Sequence, residues 1–220
     1  MNEATKLAPS VADPRDMPLP LQPVTNLLLF YDAETSGMVD WKNPSEGEQQ
    51  PHIVELYAAL HDPVSGECIH ELHELVKPDG WVIPDDVIAI HGITNERAAA
   101  EGLPEADVLA SFLDLHSSCA KRIGHNESFD ARIMRIALKR YRNDEEAEAF
   151  KAAPAFCTMH ATTDLCKVPG KFRGKYKWPK LTEAYKHFFG EELADAHQAM
   201  ADGRATARLY FHLRSIGAIA

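Results

Sequence analysis

From Asn26 onward the chain alternates between short apolar runs and longer amphipathic stretches. "NLLLFYDAE" reads as a buried strand, "HIVELYAALHD" as a second, and "ECIHELHELVKP", with its alternating apolar residues, as a third. "DPVSGE", between the second and third, carries the Pro, Ser and Gly of a turn, so the fold is expected to begin with three antiparallel strands. "IPDDVIAIHGIT" predicts a short helix with Pro84 near its start and Gly92 closing it. "LPEADVLASFLDLHSS" has apolar residues at helical spacing, and "KRIGHN" is a short strand. "ESFDARIMRIALKRYR" predicts a strongly amphipathic helix with Phe129, Ile133, Ile136 and Leu138 among its apolar positions. A short strand around "AFCTMHA", a helix at "KLTEAYKHFFG" and a final helix covering roughly "HQAMADGRATARLYFHLRS" complete the pattern. Strands first, then alternating helix and strand, predict an α/β fold in which a mixed sheet is flanked by helices.

Residues 1–25, "MNEATKLAPSVADPRDMPLPLQPVT", are Pro-rich, carry mixed charge and lack a sustained apolar period, which predicts a flexible or loosely docked arm. Residues 26–220 are then expected to form one domain, since 220 residues with 45% hydrophobic content suffice for one well-buried core. No apolar run approaches the roughly 18 to 20 residues that span a bilayer, and the N-terminus lacks the basic-then-apolar order of a signal peptide. The expectation is a soluble, cytoplasmic protein without a membrane partner. Cys68, Cys119, Cys157 and Cys166 are scattered without a Cys-x-x-Cys pair, so they predict reduced, mostly packed thiols rather than a zinc site or disulfide framework. A formal charge of −10 argues against a protein that coats a duplex through a broad basic surface, but not against a local basic segment beside an acidic, metal-recruiting site.

The candidate chemistry begins in the first strand, which ends in two acids, Asp32 and Glu34. Side chains two apart on a strand share a face, so both carboxylates project together, in a geometry suited to a hard cation. Alone, the pair is more simply read as a strand end leaning into solvent. "HNESFDARIM" places Asp130 near the start of a helix immediately after a strand, with Asn126 four residues earlier. "DAHQAMADGRATARLYF" puts His197 and Asp202 five residues apart. Within one helix they would point about 140° apart, so His197 is expected in the entering loop or first turn, with Asp202 on the helix itself. Four acids converging at one place would repel one another without metal. Two divalent cations about 3.5 to 4 Å apart, Mg²⁺ or Mn²⁺, would turn that repulsion into affinity and serve phosphodiester hydrolysis.

Taken together, Asp-x-Glu at a strand end, Asn-x-x-Phe-Asp at a helix start and His-x4-Asp at the last helix resemble the DEDDh exonucleases of the ribonuclease-H-like superfamily. The resemblance runs from about Leu27 to Leu213, and "DAETSGM" and "IHGIT" are most similar to the epsilon proofreading subunit of bacterial DNA polymerase III. It implies a ribonuclease-H-like sheet of five strands. It also implies a 3′ to 5′ exonuclease that releases 5′-nucleoside monophosphates from single-stranded DNA 3′ ends. In that scheme Asp32 bridges two metal ions, Glu34 and Asp202 complete the one that holds the attacking water, and Asp130 supports the second. His197 acts as general base. Thr35, Ser36, Gly37, Met38, Ile90 and His91 match positions around the terminal nucleotide, and Asn126 and Phe129 are counted with them.

Beside the resemblance, "KVPGKFRGKYKWPK" concentrates Lys167, Lys171, Arg173, Lys175, Lys177 and Lys180 with Phe172, Tyr176 and Trp178, and has no acid. That mixture suits a held single strand, with Lys175, Lys177 and Trp178 as the chosen contacts, although a solvated loop has the same composition. RNA remains an alternative substrate, since nothing in the residues decides how a 2′-OH is treated. A docking module for a polymerase or repair complex is the alternative of another class. The chain ends at "RSIGAIA" with no tethering tail after the last helix, which favours a free-standing nuclease.

Overall fold

The computed structural model describes residues 26–172 and 175–220; the expected N-terminal arm and Arg173 lie outside the described residues. The centre of the fold is β1 (Leu27–Thr35), buried along nearly its whole length. It pairs antiparallel with β2 (Ile53–His61), which pairs antiparallel with β3 (Cys68–Leu75). On its other side β1 runs parallel to β4 (Cys119–Gly124), and β4 parallel to β5 (Ala155–Cys157), giving the order β3-β2-β1-β4-β5. The turn between β2 and β3 forms because the Asp62 carboxylate accepts the Val64 and Ser65 N–H groups at 2.8 and 2.7 Å, while Gly66 takes the left-handed backbone that closes it.

The helices are α1 (Asp85–His91), α2 (Asn95–Glu101), α3 (Glu105–Ser117), α4 (Glu127–Tyr141), α5 (Asp144–Ala152), α6 (Thr158–Cys166), α7 (Leu181–Phe189) and α8 (Ala199–Ser215). Pattern reading misses α2, α5 and α6. The first two are short and rest on local caps, Thr94 accepting from the Arg97 N–H and Asn143 from the Glu146 N–H. In α6 the β-branched threonines mimic a strand. The strand expected around "AFCTMHA" ends at Cys157 because Thr158 and Thr162 are buried in a helix, the Thr162 hydroxyl donating to the Thr158 carbonyl at 2.8 Å.

Alternation along β1 divides the core in two. Leu29, Tyr31 and Ala33 pack with Phe112 of α3 and Ile133 and Ala137 of α4, whereas Leu28 and Phe30 pack with Ala207 and Tyr210 of α8. Continuing the second series past Phe30 gives Asp32 and Glu34, so the acids are the polar end of the face that α8 covers. That helix lies very close to the sheet: a Cβ added at Gly203 would stand 2.3 Å from Cδ1 of the fully buried Tyr57 ring. Gly203 is therefore what lets Asp202, one residue earlier, reach the end of β1.

Gly203→Ala should therefore destabilise the protein by roughly 1–3 kcal/mol through overpacking, although alanine is the better helix former. A denaturant midpoint at or above that of the unaltered protein would contradict the close seating of α8 on Tyr57.

Candidate active site

Three elements carry acids to one end of β1. Cross-strand pairing sets Asp32 opposite Tyr57 and Glu34 opposite Glu55, with the register breaking between Glu34 and Thr35, where the chain turns away. Asp32, Glu34 and Asp202 of α8 each offer a carboxylate oxygen, and these oxygens lie within 4.8 Å of one another. Asp130, in the first turn of α4, approaches from the other face of the sheet; its Oδ1 accepts the Ala33 N–H at 3.2 Å, and it is buried. The start of α4 is fixed by Glu127, which accepts from the Arg122 guanidinium at 2.6 Å and from the Tyr31 hydroxyl at 3.0 Å. Asn126, just before it, adopts a left-handed backbone with φ 72° and does not cap the helix with its side chain.

His197 lies outside α8, in the entering loop, with φ 69°, and Asp195 beside it is also left-handed at 55°. Two non-glycine residues in that region within three positions store backbone strain of the kind found at functional sites. The His197 N–H donates to Asp202 Oδ2 at 3.2 Å, and its side chain is on an exposed residue at the rim.

The electrostatics of the cluster are unfavourable to ionisation. Asp32 is held well above the usual carboxylate range by burial and then by the charges of Asp130, Asp202, Glu34 and Glu55. Burial, then Asp202 and Glu55, push Glu34 up to about 7. Asp130 is raised well above its ordinary value chiefly by burial, against the opposing Ala33 N–H, and Asp202 is raised by burial against the pull of His197. Among the described residues no lysine or arginine is paired with Asp32, Glu34, Asp130 or Asp202. Asp202 Oδ1 is buried and has no hydrogen-bond partner. An orphaned carboxylate oxygen beside two other acids is what a hard divalent cation would complete, so the donor set fits one.

Beside Glu34 a cleft of about 390 Å³ is lined by Thr35, Ser36, Gly37, Met38, Pro84, Asp86, Val87, Ile90, His91 and Phe129. Its floor is tied down: the Ser36 N–H donates to the His52 carbonyl and the His52 N–H to the Ser36 hydroxyl, both at 2.9 Å, while the Thr35 hydroxyl donates to the Gly37 carbonyl at 2.8 Å. A Cβ at Gly37 would meet nothing within 4 Å, so the protein's own packing leaves that side open. Met38 and Ile90 are 79% and 58% exposed, an unusual state for apolar side chains in a cleft wall. His91 is buried; its Nδ1 accepts the Ile93 N–H at 3.1 Å, and its Nε2 has no partner. Burial lowers its pKa, so the neutral ring carries its proton on Nε2.

The basic segment is not among the residues that line this cleft. Its flanks pair through the Lys177 N–H to Val168 carbonyl and Gly170 N–H to Lys175 carbonyl bonds, both 3.0 Å, with Trp178 64% exposed. Lys177, one of the expected contacts, is paired with Glu183 of α7, whose carboxylate lies 2.7 Å from its ammonium. The end of the segment is tied to the β4–α4 corner by His125, whose Nε2 lies 3.0 Å from the Pro179 carbonyl and whose Nδ1 lies 2.9 Å from the Thr158 hydroxyl. All four cysteines are free, with Cys68 exposed rather than packed, and no helix among the described residues is long and apolar enough to cross a membrane. Sequence reading passed over Glu55, whose signal was a lone acid inside the apolar run "IVELYAAL".

The strand-end acid pair, the acids from two helices and the open cleft beside them sit together on a mixed five-stranded α/β sheet. Residues 29–210 match the RNase_T family of exonucleases, and the chain belongs to that family: it is a nuclease of DEDDh type with a ribonuclease-H-like fold. The uncharacterized exonuclease CP81 of Escherichia phage 186 is 28% identical over 197 residues, covering 86% of this chain and 89% of that protein. Among solved structures, E. coli Exonuclease I in complex with a dT13 oligonucleotide has a TM-score of 0.69 at 23% identity, covering 86% of this chain and 41% of that one. Its product-bound form gives 0.67 at 22% identity, over 87% and 44%. This chain thus spans about two fifths of Exonuclease I.

Because the acids have raised folded-state pKa values, the sign of their linkage is clear. The metal-free protein loses stability as pH rises from the ordinary carboxylate range through about 7, and for Glu34 the shift corresponds to on the order of 3 kcal/mol. Without divalent metal, Glu34→Gln should therefore melt higher than the unaltered protein at about pH 8 and show little difference near pH 4. An unchanged or lower melting temperature at the higher pH would remove the repulsion from the account.

Proposed function

We propose that the chain is a divalent-metal-dependent 3′ to 5′ exonuclease that acts on single-stranded DNA 3′ ends and releases 5′-nucleoside monophosphates. The observation that carries this reading is the open, partly apolar cleft of about 390 Å³ that begins at Glu34, next to the orphaned Asp202 oxygen. A cleft of that size suits one terminal nucleotide rather than a duplex. The crystal structures of Exonuclease I with dT13 and dA16 oligonucleotides support a single-stranded DNA ligand on this fold.

Asp32, Glu34 and Asp202, with Asp130 behind them, would hold two Mg²⁺ or Mn²⁺ ions, which supply Lewis-acid stabilisation of phosphoryl charge and lower the pKa of bound water. The chain's own residues do the rest. Met38, Ile90 and Phe129 present apolar surface to the terminal base and sugar, and the unpartnered His91 Nε2–H is a donor for an oxygen of that nucleotide. Thr35, Ser36 and Gly37 offer backbone contact along an open edge, and Asn126, exposed at the head of α4, offers its amide. His197, on the rim and joined through its N–H to Asp202, is the base that removes the proton from the attacking water, a task an imidazole can serve. Lys175 and the exposed Trp178 serve the strand upstream of the scissile bond by charge and stacking. Lys177, neutralised by Glu183, contributes less.

Digestion of matched 5′-labelled single-stranded DNA and RNA oligonucleotides, with Mg²⁺, Mn²⁺ or EDTA, tests the reading. The expected result is a metal-dependent ladder shortening from the 3′ end, faster on DNA; faster RNA trimming would reassign the substrate, and no cleavage of either would overturn the enzyme reading. His197→Ala should lower kcat by about 10²- to 10⁴-fold and remove the acid limb of the pH profile. An unchanged acid limb would take His197 out of the base role.

A further inference from the structure

Glu55 is the most conspicuous charge that the mechanism does not use. It lies on β2 with 4% of its surface exposed, and its Cα pairs across the strands with that of Glu34. A carboxylate in that position adds to the repulsion among the acids, so a fold that keeps it must gain something specific from both oxygens. Both are engaged. Oε1 lies 2.7 Å from Nε2 of His73 on β3, and Oε2 accepts the N–H of Ala199, the first residue of α8, at 2.8 Å.

The second bond falls where α8 has no cap of its own. Gln198, the residue before the helix, makes no side-chain bond to its first turn. The preceding loop carries left-handed backbone at Asp195 and His197, a conformation that persists only when the surroundings over-determine it. Two backbone donors therefore frame the entry to the helix. His197 N–H is held from within by Asp202, and Ala199 N–H is held from the sheet by Glu55.

We infer that Glu55 is a positioning residue for the nuclease reaction: it clamps the first turn of α8 to β2, and so delivers His197 and Asp202 together to Asp32 and Glu34. His73 fixes the carboxylate that forms the clamp. Both Glu55 oxygens are engaged by His73 and Ala199, so in this scheme it acts through α8 rather than on the reacting atoms. The inference rests on the proposed role of the acidic site, but the clamp is observable without catalysis.

The test compares Glu55→Ala and Glu55→Gln in the full chain. Glutamine retains an oxygen for the Ala199 N–H and places an amide N–H against His73 Nε2, while removing the charge. In metal-free protein, hydrogen exchange of the first turn of α8 should accelerate about 10- to 100-fold in Glu55→Ala, while β1 and α4 keep their protection; Glu55→Gln should restore it. On an oligonucleotide, Glu55→Ala should lower kcat by about 10- to 100-fold with little change in KM, again recovered by glutamine. Three results would overturn the inference: unchanged exchange at α8, loss of protection spread over the whole sheet, or a glutamine variant as impaired as alanine. If the unaltered protein cuts no oligonucleotide, the functional reading fails while the exchange result still decides the clamp.

Discussion

The structure is organised around mutual repulsion among carboxylates at the end of β1, with Asp130 buried and Asp32, Glu34 and Asp202 half-buried. Burial is the largest of the causes that lift Asp32 and Asp130 well above their ordinary pKa values, and the neighbouring acids add to it. A cluster of this kind works against the metal-free fold, and the surrounding core has to hold it in place. That is the task of the apolar β1, whose two faces are covered by α3 and α4 on one side and by α8 on the other. Only a strand buried on both faces can present acids from one face while helices bring further acids from each side of the sheet.

Positioning depends on close backbone approach more than on side-chain length. Gly203 admits the Tyr57 ring, Ala33 offers its N–H to Asp130, and Ala199 offers its N–H to Glu55. The His125–Asp130 segment joins the two regions assigned to substrate, since Phe129 lines the cleft and His125 contacts the Pro179 carbonyl at the base of the basic segment. Burial pushes the His125 imidazole down to about 4, so that tie stays neutral across the working pH range.

Much of this was legible in the amino-acid order because the relevant signals are local. A period of two put Asp32 and Glu34 on one face, and a period of 3.6 separated His197 from Asp202, consistent with α8 beginning at Ala199. What pattern could not reveal is what depends on distant neighbours. Glu55 looked like one acid in an apolar strand because its partners are 18 and 144 positions away. The Lys177 pairing could not be read because Glu183 meets it only once α7 is folded, and Gly203 gave no signal because Tyr57 is set against it only in the fold. The short helices α2, α5 and α6 escaped because caps and tertiary burial, rather than apolar periodicity, sustain them.

Calorimetric titration of the metal-free protein with Mn²⁺ near pH 7, in buffers of different ionisation enthalpy, addresses the repulsive cluster itself. If Asp32, Glu34 and Asp202 form a partly protonated site that a cation completes, binding should release protons, raise the melting temperature and vanish in Asp32→Ala. Binding without proton release, or equal binding to Asp32→Ala, would contradict the account.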